Sequence, residues 1–151
     1  MSMFCYQCEQ TAGGRACEKQ GVCGKDETTA ALQDLLVYAV KGISQYATRA
    51  RQLGTRNPDA DIFVVEALFT TVTNVNFDPA RIEGMIRKAA VVRKNTQAVY
   101  AHACQGAGRA PEKLEGPAQW MPAATLDGST DPLKPRIETT VNKAAPRQIN
   151  E

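Results

Sequence analysis

Four of the chain's five cysteines, Cys5, Cys8, Cys17 and Cys23, fall within one stretch near its start, CYQCEQTAGGRACEKQGVC. The spacing is C-x2-C-x8-C-x5-C. A loop so loaded with thiols is no ordinary connection, because sulfurs this crowded either cross-link or share a metal. Three arrangements compete: a disulfide knot, a zinc knuckle and an iron–sulfur cluster. With 151 residues the chain is long enough to build an apolar core without covalent staples. Zinc ribbons pair two C-x2-C knuckles, whereas only Cys5 and Cys8 form one here, and the Cys17–Cys23 gap is wide for zinc. An iron–sulfur cube tolerates unequal gaps, since each thiolate binds a different iron. Gly13, Gly14, Gly21 and Gly24 thread the gaps and let backbone approach inorganic sulfide, while Arg15, Lys19 and Lys25 can offset its charge. On spacing alone iron–sulfur is favoured over zinc and both stay open, because the pattern is neither of the familiar ferredoxin runs.

Charge and hydropathy narrow the setting. The 18 basic and 16 acidic residues nearly balance, which gives no electrostatic footprint for nucleic acid or an anionic membrane. No apolar run approaches the roughly 20 residues needed to span a bilayer. The opening Met1-Ser2-Met3-Phe4 lacks the basic and apolar regions of a secretory signal. The expected compartment is the cytoplasm, where structural disulfides are rare and clustered cysteines more often hold metal.

Beyond the cysteines, periodicity predicts an all-α fold. From Thr28 to Leu53, residues Ala31, Leu32, Leu35, Leu36, Ala39, Val40, Ile43, Tyr46, Ala47 and Ala50 recur at helical steps. Asp26 is placed to cap this helix and Gly54 to end it in a left-handed turn. A second segment, about Asp59 to Thr73, has Ile62, Val65, Leu68 and Phe69 as its expected inner face; its β-branched end, Thr70 to Thr73, leaves a strand open. A third opens on Asp78-Pro79, a cap followed by proline at the first helical position, and runs through Ile82, Met85, Ile86, Ala89, Val92, Val99 and Tyr100 to about Cys104. Short connections between three amphipathic helices make an antiparallel three-helix bundle. Thr71, Thr73, Asn74 and Asn76 read as turn chemistry ahead of the third helix.

From Gly106 onward the chain holds six of its eight prolines and loses its periodicity. Residues 1–105 are therefore read as a cysteine-rich loop plus bundle, and 106–151 as a long irregular C-terminal tail or linker. Trp120 reads as the anchor that docks this tail on a partner. His102 reads as an ordinary edge histidine and Cys104 as a small apolar filler, neither of them a ligand. Phe4 and Tyr6, with the Asp26 cap, are expected to tie the cysteine loop to the bundle.

The segment MFCYQCEQTAGGRACEKQGVCGKDETTAALQDLLVYAVKGISQYA, continued by LFTTVTNVNFDPARIEGMI, closely resembles the N-terminus of the hybrid cluster (prismane) proteins, a family of hydroxylamine reductases. The resemblance covers residues 3 to about 104, so Met1-Ser2 reads as a small extension. It implies that Cys5, Cys8, Cys17 and Cys23 hold one [4Fe-4S] cluster, because the family's [2Fe-2S] branch has longer gaps after its second cysteine. It also implies an absence. The histidine, glutamate and cysteines that bind the family's catalytic hybrid cluster lie in later domains, and nothing here matches them. The expected function is electron transfer to a hybrid cluster held elsewhere, with the remaining hybrid-cluster domains or another redox protein as partner. The alternative is a redox-responsive or structural iron–sulfur protein without turnover. Whether the chain works as part of an oligomer or a heteromeric complex is left open.

Overall fold

The computed structural model describes residues 3–72 and 76–122. Within them lie three α-helices and no strand: α1 (Glu27–Gln52), α2 (Pro58–Val72) and α3 (Pro79–Gly106). Single turns of 3-10 helix occur at Ala12–Gly14 and Gly116–Ala118. The helical prediction holds for all three segments, and each pair of helices is in contact. Thr73 and Asn74, Met1-Ser2, and the expected tail from residue 123 onward lie outside the described residues.

The ends of α1 form as the sequence dictates. The Asp26 carboxylate accepts the Thr29 N–H at 2.7 Å, satisfying a donor that the first turn leaves unpaired. At the other end Gly54 takes φ +79°, with Gly54 N–H bonded to the Arg51 carbonyl and Thr55 N–H to that of Ala50, the double closure of a Schellman turn. Asp78 caps α3 by accepting from the N–H groups of Ala80 and Arg81. Asn76 takes the turn role expected of it, its side chain accepting the Asp78 N–H at 3.0 Å.

One stripe of α1 carries the core. Leu32, Leu35, Leu36, Ala39, Val40 and Ile43 pack against Ala60, Phe63 and Ala67 of α2 and Ile82, Ile86 and Ala89 of α3. The inner face of α2 is thus not the one its periodicity indicated. Ile62, Val65, Leu68 and Phe69 face outward, with Val65 68% and Phe69 59% exposed. The reason lies in the composition of α2, which is apolar on nearly every side. With no polar stripe to fix its rotation, the packing of Phe63 between two small alanines decides which side turns in. The strand alternative fails because Thr70 and Thr71 turn their hydroxyls back onto the carbonyls of Glu66 and Leu68, within the helix.

Beyond α3 the chain folds back on the bundle. Gly108, at φ +65°, closes α3 with the Arg109 N–H on the Cys104 carbonyl. Leu114 and Ala118 are then buried with Tyr46, Ala50, Tyr100 and Cys104. Arg93 of α3 donates to the Ala118 carbonyl. Trp120 was expected to anchor on a partner; instead it packs against this chain's own core, its ring edge-on to Tyr38 at 6.1 Å between centroids. An aromatic needs an apolar platform, and α1 supplies one.

Gly42 of α1 is the point of closest approach, since a side chain there would run into the Pro117 carbonyl. Gly42→Ala should therefore cost about 1–3 kcal/mol by overpacking. The same change should raise the solvent exposure of Trp120, read as a red-shifted and more quenchable tryptophan emission. An unchanged melting temperature and emission would show that the 107–122 segment is not held here.

Candidate metal centre

The cysteine loop is organised by backbone pairing. Cys5 and Cys17 face each other as an isolated antiparallel pair, exchanging N–H···O bonds of 3.1 and 2.8 Å. Thr11 ties the turns of the loop together. Its N–H reaches the Cys8 carbonyl, its hydroxyl donates to the Cys5 carbonyl at 3.0 Å, and that oxygen lies 3.7 Å from the Cys17 sulfur. Gly13 and Gly14 take left-handed φ values of 60° and 67°, which turn the chain between Cys8 and Cys17. The second turn is closed by Gly21 N–H to the Lys25 carbonyl and Gly24 N–H to the Gly21 carbonyl, both at 2.8 Å. A Cβ on Gly21 would stand 3.1 Å from the Cys23 sulfur, a tight approach that would press on that thiol.

All four sequence-selected cysteines carry free thiols, as does Cys104. Cys17 is buried, and Cys5, Cys8 and Cys23 are half-buried. The polar groups around Cys17 point at its sulfur. The Val22 N–H, then the Ala12 N–H, with help from the Thr11 hydroxyl and the Lys25 charge, outweigh burial and hold this thiol below its ordinary pKa. The thiolate is the form that binds metal. Lys25 is the deepest charged group here, only 2% exposed, its ammonium 2.9 Å from the Gln7 side-chain oxygen and 3.7 Å from the Cys5 sulfur. On α1, burial raises the Asp34 carboxyl to about 6 against the attraction of Lys25 and Lys41.

Met3, Cys17 and Ala30 form the small apolar contact that seats this loop on α1. Phe4 and Tyr6 do not tie it down as expected. They stack edge-on with each other at 5.4 Å and remain more than half exposed. A short alternating stretch explains this: with Met3 and Cys5 turned inward, their neighbours must face out.

Among the described residues no three His, Cys, Asp or Glu side chains converge as the ligands of a single metal ion would. The loop instead offers four thiols, Cys5 and Cys17 on its paired backbone, Cys8 at a bend and Cys23 in the following turn, with amide N–H groups and one ammonium directed at sulfur. Those are the features that suit an anionic iron–sulfur cluster. Cys104 is not brought to this loop. It packs beside Ala50, while the loop sits at Ala30, about 30 Å away along α1. His102 is exposed on α3.

Residues 3–136 match the Prismane/CO dehydrogenase family. The chain belongs to this family. Over 126 residues it is 58% identical to the hydroxylamine reductase of Rhodospirillum rubrum, covering 83% of this chain and 23% of that protein. It is 47% identical over 130 residues to the hydroxylamine reductase of Geobacter sulfurreducens, covering 85% and 24%. With the hydroxylamine reductase of Acidiphilium cryptum it shares 51% over 131 residues, covering 83% and 24%. The chain thus spans about a quarter of the length of these relatives. Membership of the family implies iron–sulfur chemistry. Among the described residues no helix is long and apolar enough to cross a membrane.

Proposed function

We propose that this chain is the iron–sulfur electron-transfer part of a hydroxylamine reductase-like system, with Cys5, Cys8, Cys17 and Cys23 holding one [4Fe-4S] cluster. The observation that carries the reading is the buried ammonium of Lys25 against the Cys5 sulfur, within a loop whose amides also point at sulfur. A cation in that position suits an anionic occupant better than a set of neutral thiols. When bound, such a cluster accepts and releases one electron at a time. The chain's own residues do the rest. The four thiolates hold it, the Ala12 and Val22 amides stabilise the Cys17 sulfur, and Met3 keeps water from the α1 side.

The electrons would pass to a hybrid cluster held by the remaining domains of the system. The outer face of α2 supports such a partner: Ile62, Val65 and Leu68 lie exposed along one stripe of a helix that is apolar on nearly every side. The relatives carry about three-quarters of their length beyond the part matched here. A reducing compartment keeps the thiols available, and the cytoplasm is the one we propose.

Anaerobic purification tests the cluster. The chain should carry about four irons, absorb broadly near about 400 nm and give a half-integer-spin EPR signal on reduction. Zinc in place of iron would sink the reading. Removing the metal with a chelator should unfold the loop before Glu27 while most of the helical circular dichroism survives, because the bundle has its own core. Complete loss of helicity would mean instead that metal drives the folding of the whole chain.

A further inference from the structure

Three basic residues, Arg15, Lys19 and Lys25, lie among the cysteines in sequence, and the structure separates them sharply. Arg15 and Lys19 are exposed, where water screens their charge. Lys25 is buried. A buried ammonium is costly unless a counter-charge and hydrogen bonds compensate it. The contacts of Lys25 are a neutral amide oxygen, Gln7 Oε1, and the Cys5 sulfur. The ion pairs among the described residues use other cations: Arg49, Arg51, Arg81, Arg87 and Lys88. Asp34 acts on Lys25 only through space. Among the described residues, the potentially anionic group in contact with the Lys25 ammonium is the Cys5 sulfur.

The backbone of Lys25 is engaged as well. Its carbonyl closes the Gly21–Lys25 turn that carries Cys23, and its Cβ lies 3.0 Å from where a Gly21 Cβ would stand. One residue thus connects the last ligand turn with the first C-x2-C knuckle.

The geometry points to Lys25 as a positioning residue of the metal centre. Its ammonium is the fixed positive charge that offsets the thiolate-bound cluster and makes it easier to reduce. This rests on the cluster reading above. Adding one electron to the centre raises its negative charge by one, and a buried cation at contact distance stabilises that product more than the oxidised form. Exposed Arg15 and Lys19 would contribute little to the same balance.

The test compares the anaerobically reconstituted full chain with Lys25→Met, Lys25→Arg and, as a surface control, Lys19→Met. Reduction is followed by visible absorption against redox dyes of known potential. Lys25→Met should shift the midpoint to a more negative value, lowering the reduced-to-oxidised ratio at fixed solution potential by about tenfold, or about 59 mV for a one-electron couple. Lys25→Arg and Lys19→Met should stay near the wild type. If Lys25→Met takes up no iron while Lys25→Arg does, the charge is needed for assembly, and the inference stands. A fully loaded Lys25→Met with an unchanged midpoint overturns it. So does failure of both Lys25 variants to load while circular dichroism shows an intact bundle, since packing alone would then explain the residue. Wild-type chain that takes up no iron overturns the cluster reading beneath it, which is a separate outcome.

Discussion

Serine at any one of Cys5, Cys8, Cys17 or Cys23 will strip iron from the chain, while serine at Cys104 will leave it in place. The expected drop is from about four irons per chain to less than about one, because a hard alkoxide is a poor exchange for a soft thiolate and a cube that loses a corner ligand degrades. The contrast with Cys104 follows from position. That thiol is 2% exposed among Tyr46, Ala50, Tyr100, Leu114 and Ala118, at the far end of α1 from the loop. Its loss should register as modest destabilisation of the bundle, with metal content unchanged. Iron content and the visible spectrum of the five single variants, purified without oxygen, decide the matter. Equal iron loss from Cys104→Ser would mean that the ligand set has been wrongly chosen. Retention of the full spectrum by one of the other four would remove that cysteine from the set.

The legible part of the fold was the part whose sequence contrast is strong. In α1 a polar face opposes the stripe Leu32–Leu35–Leu36–Ala39–Val40–Ile43, so 3.6-residue periodicity alone orients the helix. Asp26, Gly54 and Asp78-Pro79 mark ends because capping chemistry is local. In α2 that contrast is missing. Large apolar residues occupy both faces, and whether Phe63 or Phe69 turns inward depends on the alanines beside Phe63 and on what α1 presents to them. No local pattern carries that. Trp120 posed a similar difficulty: its platform is Tyr38, far away in sequence, and Gly42 leaves the room that brings the segment near.

At the proposed metal centre the residue types were visible and their ranking was not. The four cysteines and three basic residues stand plainly in the first 25 positions. Lys25, unlike Arg15 and Lys19, is held in the Gly21–Lys25 turn just before α1, where its ammonium meets Gln7 and Cys5. The role of Thr11, which joins Cys5, Cys8 and Cys17, is not legible in the sequence either. A threonine two residues ahead of a glycine pair is too common to signal such a role, although its place between Cys8 and Cys17 is where a cross-loop hydroxyl is useful.

Supplied with hydroxylamine and a low-potential donor, the chain by itself should produce little or no ammonia. Reduction of the N–O bond takes two electrons and two protons, gives ammonia and water, and needs a metal position open to the substrate. On the proposed ligand set, four cysteines bound to four irons leave no such position, and among the described residues no group of three or more His, Cys, Asp or Glu is gathered that could hold a metal ion. His102 is exposed on α3 and Cys104 is packed in the core, so neither supplies a second centre. Electron acceptance should nonetheless be intact, seen as bleaching of the visible band by reduced viologen. Turnover should appear when the remaining domains of a relative are added, with the α2 stripe as the contact. Burying a residue such as Val65 is worth about 1.5–3 kcal/mol, so a charge there should weaken the reconstituted complex by about tenfold or more. The measurement is an anaerobic assay with reduced viologen, run on the chain alone, with the added domains, and with Val65→Asp. Val65→Asp should retain its own iron and helicity, since the residue is 68% exposed. Robust ammonia formation by the unaccompanied chain would show that the substrate reaches a metal here after all. Full activity of Val65→Asp with the added domains would move the contact away from α2.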